Sequence, residues 1–370
     1  MDNIETISLP EFKIQERIGA KRVPLTVSLE LTERCNYDCI HCYINRPAND
    51  VKRQKKEMDF GTIKGIIDAA TQEGCLFCLV TGGEPLLRKD FPEIYRYLKK
   101  KGLLVTVFTN AALIDQKIGR LFKMFPPHEV EITVYGATQK VYESITRRKG
   151  SFKKFQRGID ILERNRVPFR FKTIALKKNI NEIEAIRSFC LSRAPSEIFR
   201  FDPVLQLTYR GNRQKNTLIK SNRLSAKEIV RLDLQDFNRS KVITKWCSES
   251  SVKPAGHCGH LISCTAGESS FAVDAYANFK LCLSLVHPDC MLDLRKNTFT
   301  YAWNVFTPQV KSTKIRDRKS MEECFHCEYA GFCSNCVALS YLEYATMEKP
   351  IPWLCELTKA RAAVFSKRAL

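Results

Sequence analysis

Leu31-Thr-Glu-Arg-Cys35-Asn-Tyr-Asp-Cys39-Ile-His-Cys42-Tyr43 places three cysteines at Cys-x3-Cys-x2-Cys spacing, directly after the apolar run Leu25–Leu31. Three thiolates on one tight loop can hold three irons of a 4Fe–4S cluster and leave the fourth iron open to a small molecule. Electron-transfer clusters are held by four cysteines, so a set of three implies that open position. Structural zinc takes four closed ligands, and no fourth cysteine lies nearby. A disulfide would leave one thiol over.

Outward from this loop the chain alternates strand and helix patterns. Leu25–Leu31 reads as a first strand, and residues 47–58 as a charged loop. A helix follows with Ile63, Ile66, Ile67 and Ala70 at helical spacing. Cys75–Thr81 is a second strand closing on Gly82-Gly83-Glu84-Pro85, and Phe91–Lys101 a helix. Leu103–Thr109 is a third strand, and Ile114, Ile118, Leu121 and Phe125 make the next apolar stripe. Val130–Tyr135, Phe169–Leu176 and Ile198–Leu207 complete six strands, separated by helical segments near 138–148, 152–165 and 181–193. Apolar strands in strict alternation with helices predict a parallel sheet under helices, here α/β and a partial (β/α)6 TIM-like barrel. Chemistry in such folds sits at the C-terminal strand ends, and the cysteine loop and the Gly-Gly-Glu both fall there. Residues 208–224 break the pattern as a polar linker or substrate loop, a helix spans about 226–237, and cysteine-rich, loop-rich sequence follows Cys247. The expected organisation is a lead over 1–22, the barrel over 23–212, a linker and helix over 213–246, and a cysteine-rich domain over 247–370.

The 370 residues, 44% hydrophobic, suffice for two or three packed domains. No apolar run approaches a membrane span, and the N-terminus lacks a signal-peptide pattern, so a cytoplasmic protein is expected. Sixteen cysteines in so long a chain point to metal rather than a disulfide scaffold, and labile clusters to an anaerobic host. The formal charge is +20. A charge this positive favours acidic partners. Arg147, Arg148, Lys149, Lys153, Lys154 and Arg157 form the densest basic run, read here as a solvated helix start.

The Cys35/Cys39/Cys42 loop resembles the signature of the radical S-adenosylmethionine (radical SAM) superfamily. The resemblance implies that the open iron chelates the methionine amino and carboxylate groups of S-adenosylmethionine (SAM). The reduced cluster then cleaves a carbon–sulfur bond to give the 5′-deoxyadenosyl radical. Gly82-Gly83-Glu84-Pro85 matches that family's second motif; its glycines permit a sharp turn close to a ligand, and Glu84 can accept from the methionine ammonium. By the same resemblance Thr109, Asn110 and Thr133 face the ribose or carboxylate, and His41 lies against the adenine. Many relatives carry Ser-Leu-Asp-Gly at strand four, where this chain has Thr133-Val-Tyr135-Gly136.

Eight further cysteines fall in an ordered array: Cys258-x5-Cys264, Cys282, Cys324-x2-Cys327-x5-Cys333-x2-Cys336, and Cys355. Eight thiolates suit two zinc sites or two complete 4Fe–4S clusters, and spacing alone does not separate these. Their order resembles the SPASM extension of radical SAM enzymes. That resemblance assigns Cys258, Cys264, Cys282 and Cys336 to one auxiliary cluster and Cys324, Cys327, Cys333 and Cys355 to a second, three 4Fe–4S clusters in all. The chain departs from the pattern at Ala277, where a glycine is usual, and at Cys333-x2-Cys336, where the spacing is usually one longer. Leu283 stands where the sulfatase-maturating branch has an aspartate base, which argues against that activity. Cys75, Cys78 and Cys190 read as core filling, and Cys247 and Cys290 as spare thiols beside the cluster region.

The implied enzyme takes one electron from an external flavodoxin- or ferredoxin-type donor and oxidatively modifies a peptide or protein, in the manner of a ribosomal-peptide maturase. Its substrate is expected to be acidic. A separate leader-recognition protein is expected too, because only about 22 residues precede the barrel. Asp202, Gln206 and Tyr209, at or beyond the sixth strand, are candidates for proton handling. The alternatives are a small-molecule radical SAM enzyme of haem or quinone cofactor maturation and, from another class, a basic zinc-containing nucleic-acid-binding protein. Nucleic acid is not the expected partner.

Overall fold

The computed structural model describes residues 22–44, 46–194, 199–250, 259–333 and 335–366. Cys258 and most of the N-terminal lead lie outside the described residues. Six strands build the parallel core of the main sheet: β1 Thr26–Thr32, β2 Phe77–Gly82, β3 Leu104–Thr109, β4 Glu129–Val134, β5 Phe169–Ile174 and β6 Arg200–Asp202. Each pairs in parallel with the next, as in Leu29 with Val80 and Ile132 with Phe171. The helices between them are α1 Phe60–Gln72, α2 Phe91–Lys100, α3 Gln116–Met124, α4 Gln139–Thr146, α5 Ser151–Arg164 and α6 Ile183–Arg193. One strand face, exemplified by Val105, Val107, Val130, Ile132 and Val134, is fully buried against apolar helix positions such as Ile94, Phe122 and Ile159. The expected parallel α/β architecture is therefore the observed one.

The sheet does not stop at six strands. Three more, β7 Ser270–Val273, β8 Asn278–Lys280 and β9 Met291–Asp293, extend it past β1, giving the order β9-β8-β7-β1-β2-β3-β4-β5-β6. β7 runs parallel to β1, β8 is antiparallel to β7, and β9 is antiparallel to β8. The cysteine-rich half thus shares one sheet with the barrel. These strands are three or four residues long, too short to carry a visible period.

Three sequence expectations need correction. Residues 47–58 hold a short helix, Val51–Gln54, whose N-terminus Asp50 caps by accepting from Arg53 N, 3.0 Å. Residues 208–224 hold a helix, α7 Arg213–Ser221, capped by Asn212 and burying only Lys215 and Ile219, so its apolar period is nearly invisible. The sixth strand ends at Asp202 rather than Leu207. Pro203 follows, and proline has no N–H for the ladder. After α8, Ala226–Gln235, a further helix, α9 Phe237–Ser250, leads toward Cys258. The C-terminal helices are α10 Val337–Tyr344 and α11 Pro352–Phe365; α8 packs on α11 through Asp233, which pairs with Arg361 at 2.8 Å.

Candidate active site

The cysteine loop leaves the C-terminal end of β1 and is held from three sides. Arg88 donates to Leu31 O, 3.1 Å, and Met58 O, 2.8 Å, at the strand's end. Arg34 pairs with Glu57 at 2.8 Å and donates to Ala48 O, so the charged 47–58 segment buttresses the loop. On the far side, Asp38 N donates to Thr146 O, 3.1 Å, and Ile40 N to Ile145 O, 2.9 Å, seating the loop on the end of α4. Tyr37 and Ile40 point inward and are buried.

Gly82 and Gly83, at the end of β2, press against this loop. Gly83 N donates to Thr32 O, 2.7 Å, and Glu84 N to Arg34 O, 2.9 Å. A Cβ on Gly82 (φ +128°) would lie 2.2 Å from Thr32 O, and one on Gly83 would lie 2.3 Å from Arg34 O. Both obstacles are backbone, so no side-chain rotation relieves them. Gly83→Ala is expected to cost about 1–3 kcal/mol in urea unfolding, the usual range for forced overpacking, and to lower the iron retained on reconstitution.

Glu84 is completely buried. Its carboxylate accepts from Thr109 Oγ1 at 2.9 Å, from Asn110 N at 2.9 Å and from Leu86 N at 3.1 Å. Burial pushes its carboxyl up to about 7, against the pull of those three donors. Two carboxylate oxygens offer about four acceptor positions, so room remains for one more donor. Asn110 reaches across to Cys35 Sγ, 3.8 Å, and to Asn36 Oδ1, 2.8 Å, joining the third strand's end to the cysteine loop. His41 lies 5.4 Å from the Tyr135 ring, its Nδ1 buried without a hydrogen-bond partner. Burial, with Lys215 adding to it, drives His41 down to about 3, so the ring is neutral. Thr133 lies half-buried in β4, paired in register with Lys172 on β5. The structure thus brings Gly82, Gly83, Glu84 and Asn110 onto the Cys35 loop, with Thr109 behind Glu84, His41 on the loop and Thr133 one strand further.

Burial raises the Cys35 thiol first, with Cys39, Glu84 and Cys42 adding to it, and burial and Cys42 likewise raise Cys39. Raised in this way, the Cys35 and Cys39 thiols stay protonated alone and become thiolates only where cationic metal compensates them. That donor set, the acceptor capacity left on Glu84 and the partnerless His41 Nδ1 fit an iron–sulfur cluster with a polar, cationic ligand beside it.

The C-terminal cysteines divide into two neighbourhoods. After burial, Cys336 and Cys264 are what raise the Cys282 thiol, and Cys264 raises Cys336. Separately, burial and then Cys355, Cys333 and Cys327 raise the Cys324 thiol, which is pushed up to about 11. The resemblance assigns Cys264, Cys282 and Cys336 to one cluster together with Cys258, which lies outside the described residues, and the other four cysteines to a second. Cys264, Cys336 and the whole second set line one cavity of ≈ 670 Å³. Among the described residues, no group of three His, Cys, Asp or Glu side chains closes on a single-ion position. Cys75 and Cys190 are buried and pushed up to about 12, as core thiols. Cys290 is buried near Cys282, and Cys247 is buried at α9.

The sequence reading missed a buried pair between the two halves. Lys280 on β8 meets Glu30 on β1 at 3.2 Å and donates to Leu283 O at 3.1 Å. Tyr209 OH donates to the same carbonyl, 2.8 Å, while its backbone N–H donates to Tyr43 O, 3.2 Å. Gln206 accepts from Ser284 Oγ, 2.8 Å. Asp202 accepts from Val204 N, 2.9 Å, and its carboxyl is raised by burial. Gln206 and Tyr209 therefore contact the turn after Cys282, whereas Asp202 marks the end of β6. Only the lysine at position 280, between Phe279 and Leu281, hinted at the buried pair.

Residues 29–190 match the family model described as the Radical SAM superfamily. The chain is 25% identical over 347 residues to the AdoMet-dependent heme synthase of Methanosarcina barkeri, covering 88% of this chain and 94% of that one. It is 31% identical over 162 residues to the antilisterial bacteriocin subtilosin biosynthesis protein AlbA of Bacillus subtilis, covering 44% of this chain and 35% of that protein. Among solved structures, Streptococcus suis SuiB bound to S-adenosylmethionine superposes with a TM-score of 0.66 at 13% identity, over 96% of this chain and 83% of SuiB. SuiB bound to its precursor peptide SuiA superposes equally well, with a TM-score of 0.65. At those identities the superpositions speak for the fold alone. No described helix is long and apolar enough to cross a membrane. This match lies over the strand ends that carry Cys35, Cys39, Cys42 and Glu84, so residues 29–190 hold a domain that resembles the radical SAM superfamily.

Proposed function

We propose that this enzyme oxidatively modifies a ribosomally made peptide. The observation that carries the reading is the division of the C-terminal cysteines into two neighbourhoods beside the barrel, the arrangement of a SPASM maturase with two auxiliary clusters. Cys35, Cys39 and Cys42 would hold the SAM-binding 4Fe–4S cluster. Cys258, Cys264, Cys282 and Cys336 would hold the first auxiliary cluster, and Cys324, Cys327, Cys333 and Cys355 the second. The cluster held by Cys35, Cys39 and Cys42 would, with SAM bound, supply a 5′-deoxyadenosyl radical able to take a hydrogen atom from the substrate. The protein's own work is placement. Glu84 accepts from the methionine ammonium, Asn110 and Thr109 fix Glu84, Gly82 and Gly83 let the two loops meet, and His41 presents its free nitrogen to the adenine. Tyr209 and Lys280 hold the turn after Cys282. The likeness to AlbA and the fold shared with SuiB support a peptide substrate. The near full-length similarity to a heme synthase favours a second reading, porphyrin side-chain oxidation.

Anaerobic incubation of the reduced enzyme with peptides encoded beside it, followed by mass spectrometry, tests the choice. A loss of two hydrogens from a peptide supports the first reading. Unchanged peptides with a porphyrin consumed would transfer the assignment to the second.

The raised Glu84 carboxyl gives a pH prediction. An ordinary glutamate ionises near pH 4.5, whereas Glu84 ionises near about 7, so its neutral form favours the fold below about 4.5 and that contribution is lost as pH rises through about 7. An arriving ammonium favours the ionised form. SAM affinity is therefore expected to fall below pH 7 by up to about tenfold per pH unit. Glu84→Gln should flatten the dependence in calorimetric titrations.

A further inference from the structure

The basic run on the turn after α4 has no role in the site described above. Arg148 and Lys149 on the turn, with Lys153, Lys154 and Arg157 on α5, are exposed, and none forms an ion pair among the described residues. Arg147 alone is engaged, with Asp38 at 3.2 Å. The position of the turn is fixed. Arg147 (φ 53°) and Gly150 (φ 76°) both take the left-handed conformation, Gly150 N donates to Glu143 at 2.8 Å, and Thr146 and Ser151 share a hydroxyl hydrogen bond of 2.8 Å. A solvated helix start needs no such clamp.

The turn also abuts the cysteine loop. Thr146 O and Ile145 O, immediately before the basic run, accept from Asp38 N and Ile40 N, the residues on either side of Cys39. Ser151 O, between Lys149 and Lys153, accepts from Tyr37 OH at 3.3 Å. The exposed cations therefore sit on the segment that hydrogen-bonds the backbone on both sides of Cys39. An electron for this site must come from outside the chain, and transfer rates fall steeply with distance.

We propose that Arg148, Lys149, Lys153, Lys154 and Arg157 form the docking face for an acidic one-electron carrier protein that reduces the cluster through the Cys39 side of its loop. The proposal rests on the reading that Cys35, Cys39 and Cys42 hold that cluster. In the step, the carrier loses one electron and the cluster gains it, with no bond made or broken. Complementary surface charge acts chiefly on encounter rate and is screened by salt, so the signature is kinetic and ionic.

The test uses the anaerobic holoenzyme, a purified flavodoxin as the carrier, and the combined variant Lys149→Glu, Lys153→Glu, Lys154→Glu and Arg157→Glu. Calorimetry should show flavodoxin affinity falling about tenfold or more in the variant, and the wild-type affinity falling with added salt. Bleaching of the cluster absorbance by flavodoxin hydroquinone should slow in parallel. Release of 5′-deoxyadenosine driven by dithionite, which needs no docking, should be unchanged, and arginine at the three lysine positions should preserve the flavodoxin rate. Unaltered flavodoxin binding and reduction in the glutamate variant would overturn the proposal. So would an equal loss with dithionite, or a loss confined to substrate-peptide affinity, which would make the face a peptide site. Wild-type failure to release 5′-deoxyadenosine with dithionite would instead overturn the cluster reading itself.

Discussion

Lys280→Met is expected to destabilise the protein by about 3–5 kcal/mol in denaturant unfolding, because it strands the Glu30 carboxylate in the interior. The two side chains are 1% and 4% exposed and meet at 3.2 Å, one from the barrel's first strand and one from the C-terminal hairpin. Burial already raises the Glu30 carboxyl, and Lys280 is the principal group pulling it back. With the ammonium gone, Glu30 must either ionise unpaired or take up a proton. Replacing both residues at once, as Glu30→Leu with Lys280→Met, should recover much of the loss, since an apolar pair of similar volume removes both charges. The single variant should also weaken metal binding at Cys282, because Lys280 fixes the carbonyl of the very next residue. A change below about 1 kcal/mol would mean that the two halves are held by packing alone.

The second large effect separates the cysteine sets by function. Cys39→Ala should reduce SAM cleavage to background while the two C-terminal sets keep their iron. Cys333→Ala should do the reverse, retaining dithionite-driven SAM cleavage but losing substrate turnover, with less iron and sulfide per chain. The measurement pairs iron and labile-sulfide analysis with chromatography of 5′-deoxyadenosine. Zinc without sulfide in the wild type would return the C-terminal cysteines to a structural role.

The parallel sheet was legible because β1 to β4 set apolar residues at every second position or closer and the intervening helices repeat theirs at helical spacing, as at Ile63, Ile66, Ile67 and Ala70. The rim was legible because Cys35–Cys42 and Gly82–Glu84 each follow a strand directly. What escaped had weak local signals. α7 buries a lysine and an isoleucine in nine residues, and the lysine reads as solvent-facing until Asp38 arrives 177 positions away to pair with it at 3.1 Å. β7 joins β1 across more than two hundred residues, a pairing that no pattern within Ser270–Val273 announces. Ala277 is the reverse case. Its departure from glycine was visible in the sequence, and the structure gives it φ 66°, the left-handed conformation that favours glycine.

Iron-loaded wild-type protein, kept from air, reduced with dithionite and given S-adenosylmethionine, tests the central claim most directly. A three-thiol cluster with one exchangeable corner beside Glu84 predicts that 5′-deoxyadenosine accumulates, and that it disappears when Cys35, Cys39 or Cys42 is replaced. No 5′-deoxyadenosine from a fully loaded sample, or the same yield without those three thiols, would contradict it.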